Sequence, residues 1–382
     1  MTKASRLFYM PTRIVHGLGS VSALAAQVGA VGSKAFVCTD KGLSAAGITA
    51  RVAAVLDEAG VPYFVFDDVE EDPGVKTVSA GVAAFAAEGC DVVVALGGGS
   101  PMCAGKGIAL VAANGGMLTD YEGFHKAAKP PYPVIAVPTT AGSGTEVSKV
   151  TILTDEARNF KMSILDERTF PTVAILDGSL MASLPAWPAL VAGMDALAHA
   201  LDALWSVGAT DFSDGLAATS AATIFEVLPK AALGSDLAAK QRMLEASSIA
   251  NMATGTALPG LAHVLSQPLG RLHISHGLGT GIMLPYAMDF NLPVAAHKLA
   301  PLARLLGEEG ADRDLAEYVL DRLWQLMHDV GFPTGLDSAQ VPPEEIPALV
   351  DQCTKVVNYR LNLRQASPAD LTLLYRRALG EE

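Results

Sequence analysis

Asp91-Val92-Val93-Val94-Ala95-Leu96-Gly97-Gly98-Gly99-Ser100-Pro101 is the stretch that decides the fold. Five residues without a turn former, Val92 to Leu96 and rich in valine, are too few for a helix and read as a strand buried on both faces. The glycines then turn the chain sharply, Pro101 suits a first helical position, and a helical pattern continues through Lys106 and Ile108. A strand feeding a helix through a tight turn is the repeating unit of a parallel sheet. The same pattern recurs on both sides. Lys34-Ala35-Phe36-Val37-Cys38-Thr39 ends at Asp40 and Gly42, and a helix is predicted over 45–59, closed by Gly60. Pro62-Tyr63-Phe64-Val65-Phe66 gives another strand, 75–87 another helix closed by Gly89, and Val134-Ile135-Ala136-Val137 and Val173-Ala174-Ile175-Leu176 extend the series. Residues 1–183 therefore read as an α/β, Rossmann-like parallel-sheet domain.

Such sheets bind ligands at the carboxyl ends of their strands. Two glycine-rich turns open there: Gly97-Gly98-Gly99-Ser100 and Pro138-Thr139-Thr140-Ala141-Gly142-Ser143-Gly144. Neither matches the G-x-G-x-x-G fingerprint. Glycines still let a backbone approach a phosphate, and a following helix presents free N–H groups. Gly97, Gly98, Gly99, Ser100, Thr139, Thr140 and Ser143 are thus candidates for a dinucleotide site. Asp40, after the first strand of the series, could accept hydrogen bonds from a ribose diol and repel a 2′-phosphate, favouring NAD over NADP.

Beyond Leu184-Pro185-Ala186-Trp187-Pro188 the strand-like runs stop. Helical periodicity over 189–205, 211–228, 236–254, 293–306, 311–330 and 343–357 predicts an all-α domain spanning 184–382, with Asp211, Asp214 and Asp236 as first-turn or capping acids. In Gly193-Met194-Asp195-Ala196-Leu197-Ala198-His199, an acid and a histidine four apart share one helix face. His263, His273 and His276 follow downstream. A carboxylate with three imidazoles suits one divalent metal, Fe(II) or Zn(II). Spacing alone does not choose between His273 and His276.

The totals exclude several classes. A chain of 382 residues with net charge −13 has two domains as its prior and is not built for nucleic acid or an anionic membrane. The four cysteines form no C-x-x-C pair, which fits a reducing compartment. No secretory segment opens the sequence and no apolar run is expected to span a bilayer, so the protein is expected to be cytoplasmic.

Four motifs together resemble the iron-containing (group III) alcohol dehydrogenase family of the dehydroquinate synthase-like superfamily: G-G-G-S-P at 97–101, T-T-A-G-x-G-x-E-V at 139–147, G-M-D-A-L-x-H at 193–199, and H-G with L-P eight residues after the His at 276–285. The resemblance implies hydride transfer between NAD(H) and a small primary alcohol or aldehyde. It also implies a metal held by Asp195, His199, His263 and His276, a cofactor contact at Lys161, and homo-oligomers, typically dimers. His263, Gln267 and His273 are the candidates nearest the reacting atoms and the proton path. This chain departs from the family pattern at several points. Cys103 stands where an Asp is usual, Gln267 where a His is common, Thr254 where an aromatic lines the substrate pocket, and Tyr286 where a His is frequent. Lys149 and Arg271 are extra charges that could meet an anionic substrate group. Competing readings are a dehydroquinate synthase-like lyase or cyclase using NAD and zinc, and a non-catalytic nucleotide-binding relative. The first needs more basic residues for a sugar-acid substrate than this sequence offers, and the second does not need four intact ligands.

Overall fold

A computed structural model describes residues 6–158 and 160–381. The chain divides into two compact units, one covering 10–184 and the other 185 to the C-terminal end together with the residues before Met10. Residues 6–9, expected with the sheet, pack with the helical unit. Phe8 stacks on Phe212 with ring centroids 5.5 Å apart, and Arg6 Nη1 donates to the Ala209 carbonyl at 2.8 Å.

In the first unit, β1 (Arg13–His16), β2 (Ala35–Cys38), β3 (Tyr63–Phe66), β4 (Val92–Gly97), β6 (Val134–Pro138) and β9 (Val173–Leu176) form one sheet in the order β1-β9-β6-β4-β2-β3. Every pairing in it is parallel. Alternate residues serve opposite faces, which is why these strands read as continuous apolar runs. Phe36, Cys38, Val93, Ala95, Val134 and Ala136 pack under the helices Val75–Ala87 and Gly99–Asn114. Ala35, Val37, Val92, Val94, Ile135 and Val137 pack on the other face with Leu24, Val28, Val52 and Leu56 of the helices Leu24–Val31 and Ile48–Glu58. The chain runs outward from β2 to β3 and returns to β4 on the far side of β2. The crevice between the ends of β2 and β4 is therefore the topological switch point where such sheets take nucleotides.

The structure departs from expectation at several points. The helix expected over 45–59 is two, Lys41–Ala45 and Ile48–Glu58, parted at Gly47 with φ 76°. A second sheet, β5 (Gly123–Phe124), β8 (Phe160–Leu165) and β7 (Val150–Asp155), was not anticipated, nor was β1. These strands are short or half exposed, so they carry no continuous apolar run.

The helical unit is built around the helices Ala186–Leu204, Asp211–Leu233, Leu237–Ala257 and His276–Leu305. Asp236 caps its helix by accepting from the Ala238 and Ala239 N–H groups. Prolines misled the boundaries twice. The 211–228 helix continues past Pro229, and the helix expected from 293 begins at His276 and contains Pro285, Pro293 and Pro301. Each proline removes one hydrogen bond, but the neighbouring turns are buried firmly enough to keep the helix continuous. Asp211–Leu233 also corrects the expectation that no apolar run could span a bilayer: it is long and apolar enough, although more than half of that stretch is buried inside the protein.

Backbone strain is visible at the end of one helix. Leu258 ends the Leu237–Ala257 helix at φ 64° and ψ 149°, a region close to glycine-only backbone that costs on the order of 1–3 kcal/mol. Leu258→Gly removes the strain while adding about 0.5–1 kcal/mol of backbone entropy cost. Both Leu258→Gly and Leu258→Ala lose the burial of a half-buried side chain, but only glycine relieves the backbone, so the glycine variant should melt above the alanine variant by about 2–4 °C for each kcal/mol of net relief; a glycine variant no more stable than alanine contradicts the strain.

Candidate metal centre and cofactor turns

The Ala186–Leu204 helix carries Asp195 and His199 one turn apart, and they face the same point because side chains at i and i+4 stack along a helix. Two glycines bring a second helix against it. A Cβ on Gly277 would lie 2.9 Å from the Val191 carbonyl and 3.3 Å from Asp195 Cβ, and one on Gly281 would lie 3.0 Å from Met194 Cβ. That close approach places His276, first residue of the His276–Leu305 helix, with Nε2 3.7 Å from Asp195 Oδ1. His263 comes from the short helix Leu261–Ser266. Its ring centroid lies 4.4 Å from that of His199 and 5.4 Å from that of His276.

Asp195, His199 and His263 each offer a ligand atom within 4.8 Å of the others. The free atoms point the right way. His199 Nδ1 is 2.9 Å from the Asp195 carbonyl, so Nδ1 holds the proton and Nε2 the lone pair. Asp195 Oδ1 and His263 Nε2 are buried without a hydrogen-bond partner among the described residues. Buried polar atoms are rarely left so. One carboxylate oxygen and imidazole nitrogens converging on one point are the donor set of a divalent transition metal. Burial, only partly opposed by Asp195, pushes His199 down to about 4, leaving it neutral and able to donate its lone pair. Burial alone would raise the Asp195 carboxyl, but the surrounding imidazoles hold it below its usual range.

The remaining candidates in this unit fall at different distances from the cluster. His273 ends the Gln267–Leu272 turn at φ 59° and is exposed, as is Gln267; neither has a described contact with the ligand side chains. Thr254, expected in a substrate pocket, is buried with its hydroxyl directed at the carbonyls of His199 (2.8 Å) and Ala250 (2.9 Å). It braces the ligand helix. Arg271 already pairs with Glu345 at 3.0 Å, so its charge is met within the protein. Tyr286 donates to the Thr334 carbonyl at 2.8 Å.

In the sheet unit, Gly97 and Pro138 are register partners, which sets the two glycine turns side by side. Gly97 has φ 146°, and a Cβ there would lie 2.6 Å from Pro101. Gly98 faces Thr140 and Gly99 faces Ser143 at ordinary contact or slightly closer. Thr139 is buried, and its N–H donates to the Gly97 carbonyl at 3.0 Å. Asp40 sits at the end of β2, where one carboxylate oxygen caps the next helix by accepting from Leu43 N–H at 2.9 Å. Lys161 pairs with Asp72 at 2.7 Å, and the Asp72 N–H donates to Ser100 Oγ at 3.4 Å. Lys161 is thereby linked to the first glycine turn through a residue the sequence did not single out. Lys149, partly exposed, contributes its carbonyl to Thr169 Oγ1 at 2.6 Å.

The iron-containing alcohol dehydrogenase model matches residues 11–178, and the Fe-containing alcohol dehydrogenase C-terminal model matches residues 189–379. The chain belongs to this family. An NAD-dependent methanol dehydrogenase from Bacillus methanolicus is 36% identical, over 97% of this chain and 99% of that protein. The crystal structure of a 1,3-propanediol oxidoreductase superposes with a TM-score of 0.94 at 33% identity, covering 98% of this chain and 100% of the other. A sulfoacetaldehyde reductase from Bifidobacterium kashiwanohense, solved with NAD+, gives 0.90 at 29% identity, covering 99% and 100%. The cofactors of the family are NAD and a divalent metal.

Lys106, on the helix after the glycine turn, is a further buried group. Its ammonium donates to the carbonyls of Ser148 at 2.6 Å and Val150 at 2.8 Å. Burial, only partly offset by Cys103 and Glu146, pushes it from 10.5 down to about 8. Between pH 8 and 10.5 the unfolded chain holds a proton that the folded one has released, so unfolding free energy climbs with pH across that window. Lys106→Met removes this climb. Denaturant titrations of both proteins at pH 7.5 and 10 should show wild type gaining about 2 kcal/mol relative to the variant at the higher pH; a constant difference rules the account out.

Proposed function

We propose that this chain is a metal-dependent oxidoreductase that passes a hydride between NAD(H) and a small, uncharged primary alcohol or its aldehyde. The observation that carries the reading is the pair of orphaned atoms, Asp195 Oδ1 and His263 Nε2, facing His199 and His276. These four residues would hold the cation. When bound, a divalent metal supplies Lewis-acid chemistry, drawing electron density from an alcohol or carbonyl oxygen. Asp195 supplies the only formal negative charge of the set, so an Fe(II) or Zn(II) centre would keep a net positive charge toward substrate. The protein's own part is to hold the lone pairs convergent, with Asp195 and His263 buried and His276 on the side open to solvent and substrate.

The glycine turns at 97–100 and 139–143 are assigned to the dinucleotide phosphates, and Asp40 to the adenosine ribose with a preference for NAD. Lys161 would exchange Asp72 for the cofactor. Gln267 hydrogen-bonds but does not titrate, so the alcohol proton leaves by way of water or the exposed His273. The pairing of Arg271 with Glu345 favours a neutral substrate over the anionic class suggested by the sulfoacetaldehyde reductase. Four buried, unpaired cysteines support a reducing, cytoplasmic location, and assembly as dimers belongs to the same reading.

The test is metal analysis of purified protein with NAD+ reduction assayed over short primary alcohols and NADH oxidation over the matching aldehydes. One Zn(II) or Fe(II) per chain and turnover lost by at least about a hundredfold on Asp195→Asn or His199→Ala are expected, since removal of a ligand removes the electrostatic stabilisation. Unaltered turnover in both variants sinks the metal-centred mechanism. Sulfoacetaldehyde reduced better than acetaldehyde sinks the neutral-substrate assignment.

A further inference from the structure

Two turns beyond Asp195 on the same helix, Asp202 is completely buried, yet both of its oxygens are fully used. Oδ1 accepts from Trp205 Nε1 at 2.6 Å and from the Ala262 N–H at 3.2 Å. Oδ2 accepts from the His263 N–H at 3.0 Å and from His263 Nδ1 at 2.8 Å. Four donors on one carboxylate account for its stable burial. The surroundings are closed around it: a Cβ on Gly260 would lie 2.9 Å from the Trp205 indole and 3.0 Å from Asp202 Oδ1.

The short helix Leu261–Ser266 has no side-chain cap of its own, since its preceding residue is Gly260. Asp202 meets its first free N–H groups from another helix, which is a capping role at a distance. The bond to Nδ1 does something a cap does not. An imidazole that donates from Nδ1 to a carboxylate has its proton fixed there, and its Nε2 lone pair becomes the only donor it can offer. That Nε2 is the atom left without a partner beside Asp195 and His199.

We propose that Asp202 is a positioning residue of the metal site, holding the His263 ring by both its backbone and its Nδ1–H so that Nε2 is presented to the cation. The proposal rests on the metal centre assigned above. Trp205 is the second half of the device, because its indole N–H fixes the carboxylate that fixes the histidine. Partners that orient a ligating histidine typically set metal affinity by about 10- to 100-fold.

In Asp202→Asn the amide can match only one side. With its oxygen toward His263, its NH2 opposes the donors of Trp205 and Ala262; reversed, it opposes the His263 N–H and demands the other tautomer. The full-length protein, stripped and titrated with Zn(II) against a chelator, should lose about 10- to 100-fold in affinity in this variant. The Co(II) absorption bands should shift in position or intensity. Circular dichroism and the metal-free melting temperature identify whether the variant is folded. A folded Asp202→Asn with a Zn(II) affinity within about twofold of wild type and unshifted Co(II) bands overturns the proposal. A second measurement needs no variant: long-range proton–nitrogen NMR on zinc-loaded wild type should show His263 protonated at Nδ1 and bound through Nε2. Ligation through Nδ1 overturns the proposal even if Asp202→Asn does not fold. Absence of stoichiometric Zn(II) binding by wild type is a different failure, that of the metal centre itself.

Discussion

A carboxylate taken out of water needs a positive or hydrogen-bonding partner, and Asp195 Oδ1 has no hydrogen bond from the described residues. Desolvation of such a group costs several kcal/mol unless a charge nearby repays it. The imidazoles around Asp195 hold its carboxyl ionised against that cost, yet none of them meets Oδ1 with a hydrogen bond. The helical unit thus keeps one ionised oxygen without a donor, at the point where the proposed divalent cation would be held. Much of the local packing brings these side chains together. Gly277 and Gly281 admit one helix against another, Thr254 ties the carbonyl of His199 to the Leu237–Ala257 helix, and the short Leu261–Ser266 helix exists largely to deliver His263.

The sheet unit is governed by a different constraint, the burial of its strands on both faces. That burial made β2, β4, β6 and β9 readable as apolar runs, and the edge strand β3 stood out by its aromatic residues. It also explains which strands escaped notice. Ile152 and Phe160 are exposed in the small sheet, and β1 has two half-buried residues between exposed ends, so no uninterrupted hydrophobic run marks either. In the helical unit Pro229 and Pro293 each suggested a boundary where tertiary packing carries the helix through. Proline's local preference is worth a few kcal/mol, and a buried helix can exceed that.

The candidate site divides along the same line between local and distant information. Asp195 and His199 were legible because their geometry lies within one helix turn. The choice of His276 over His273 was open to spacing and came from family likeness; in the structure His276 lies beside Asp195. Asp202 gave no signal, since its partner His263 is 61 residues away. Arg271 looked like a free cation because Glu345, which pairs with it, is far along the chain. Lys106 read as a polar residue in a helix, and only tertiary structure reveals it as buried beneath the Ser148 and Val150 carbonyls.

The two-sided burial of the central strands has a consequence for how this scaffold can diversify. Within β2, β4 and β6 each residue is committed to one of two cores, and a change there is paid for in packing throughout the layer. Past the strand ends that constraint lapses. Asp40 holds one helix cap and Thr140 lines one glycine turn, so substitutions there disturb about 1 kcal/mol of local structure while altering what the crevice can recognise. Variation can thus accumulate at the rim while the sheet beneath stays fixed.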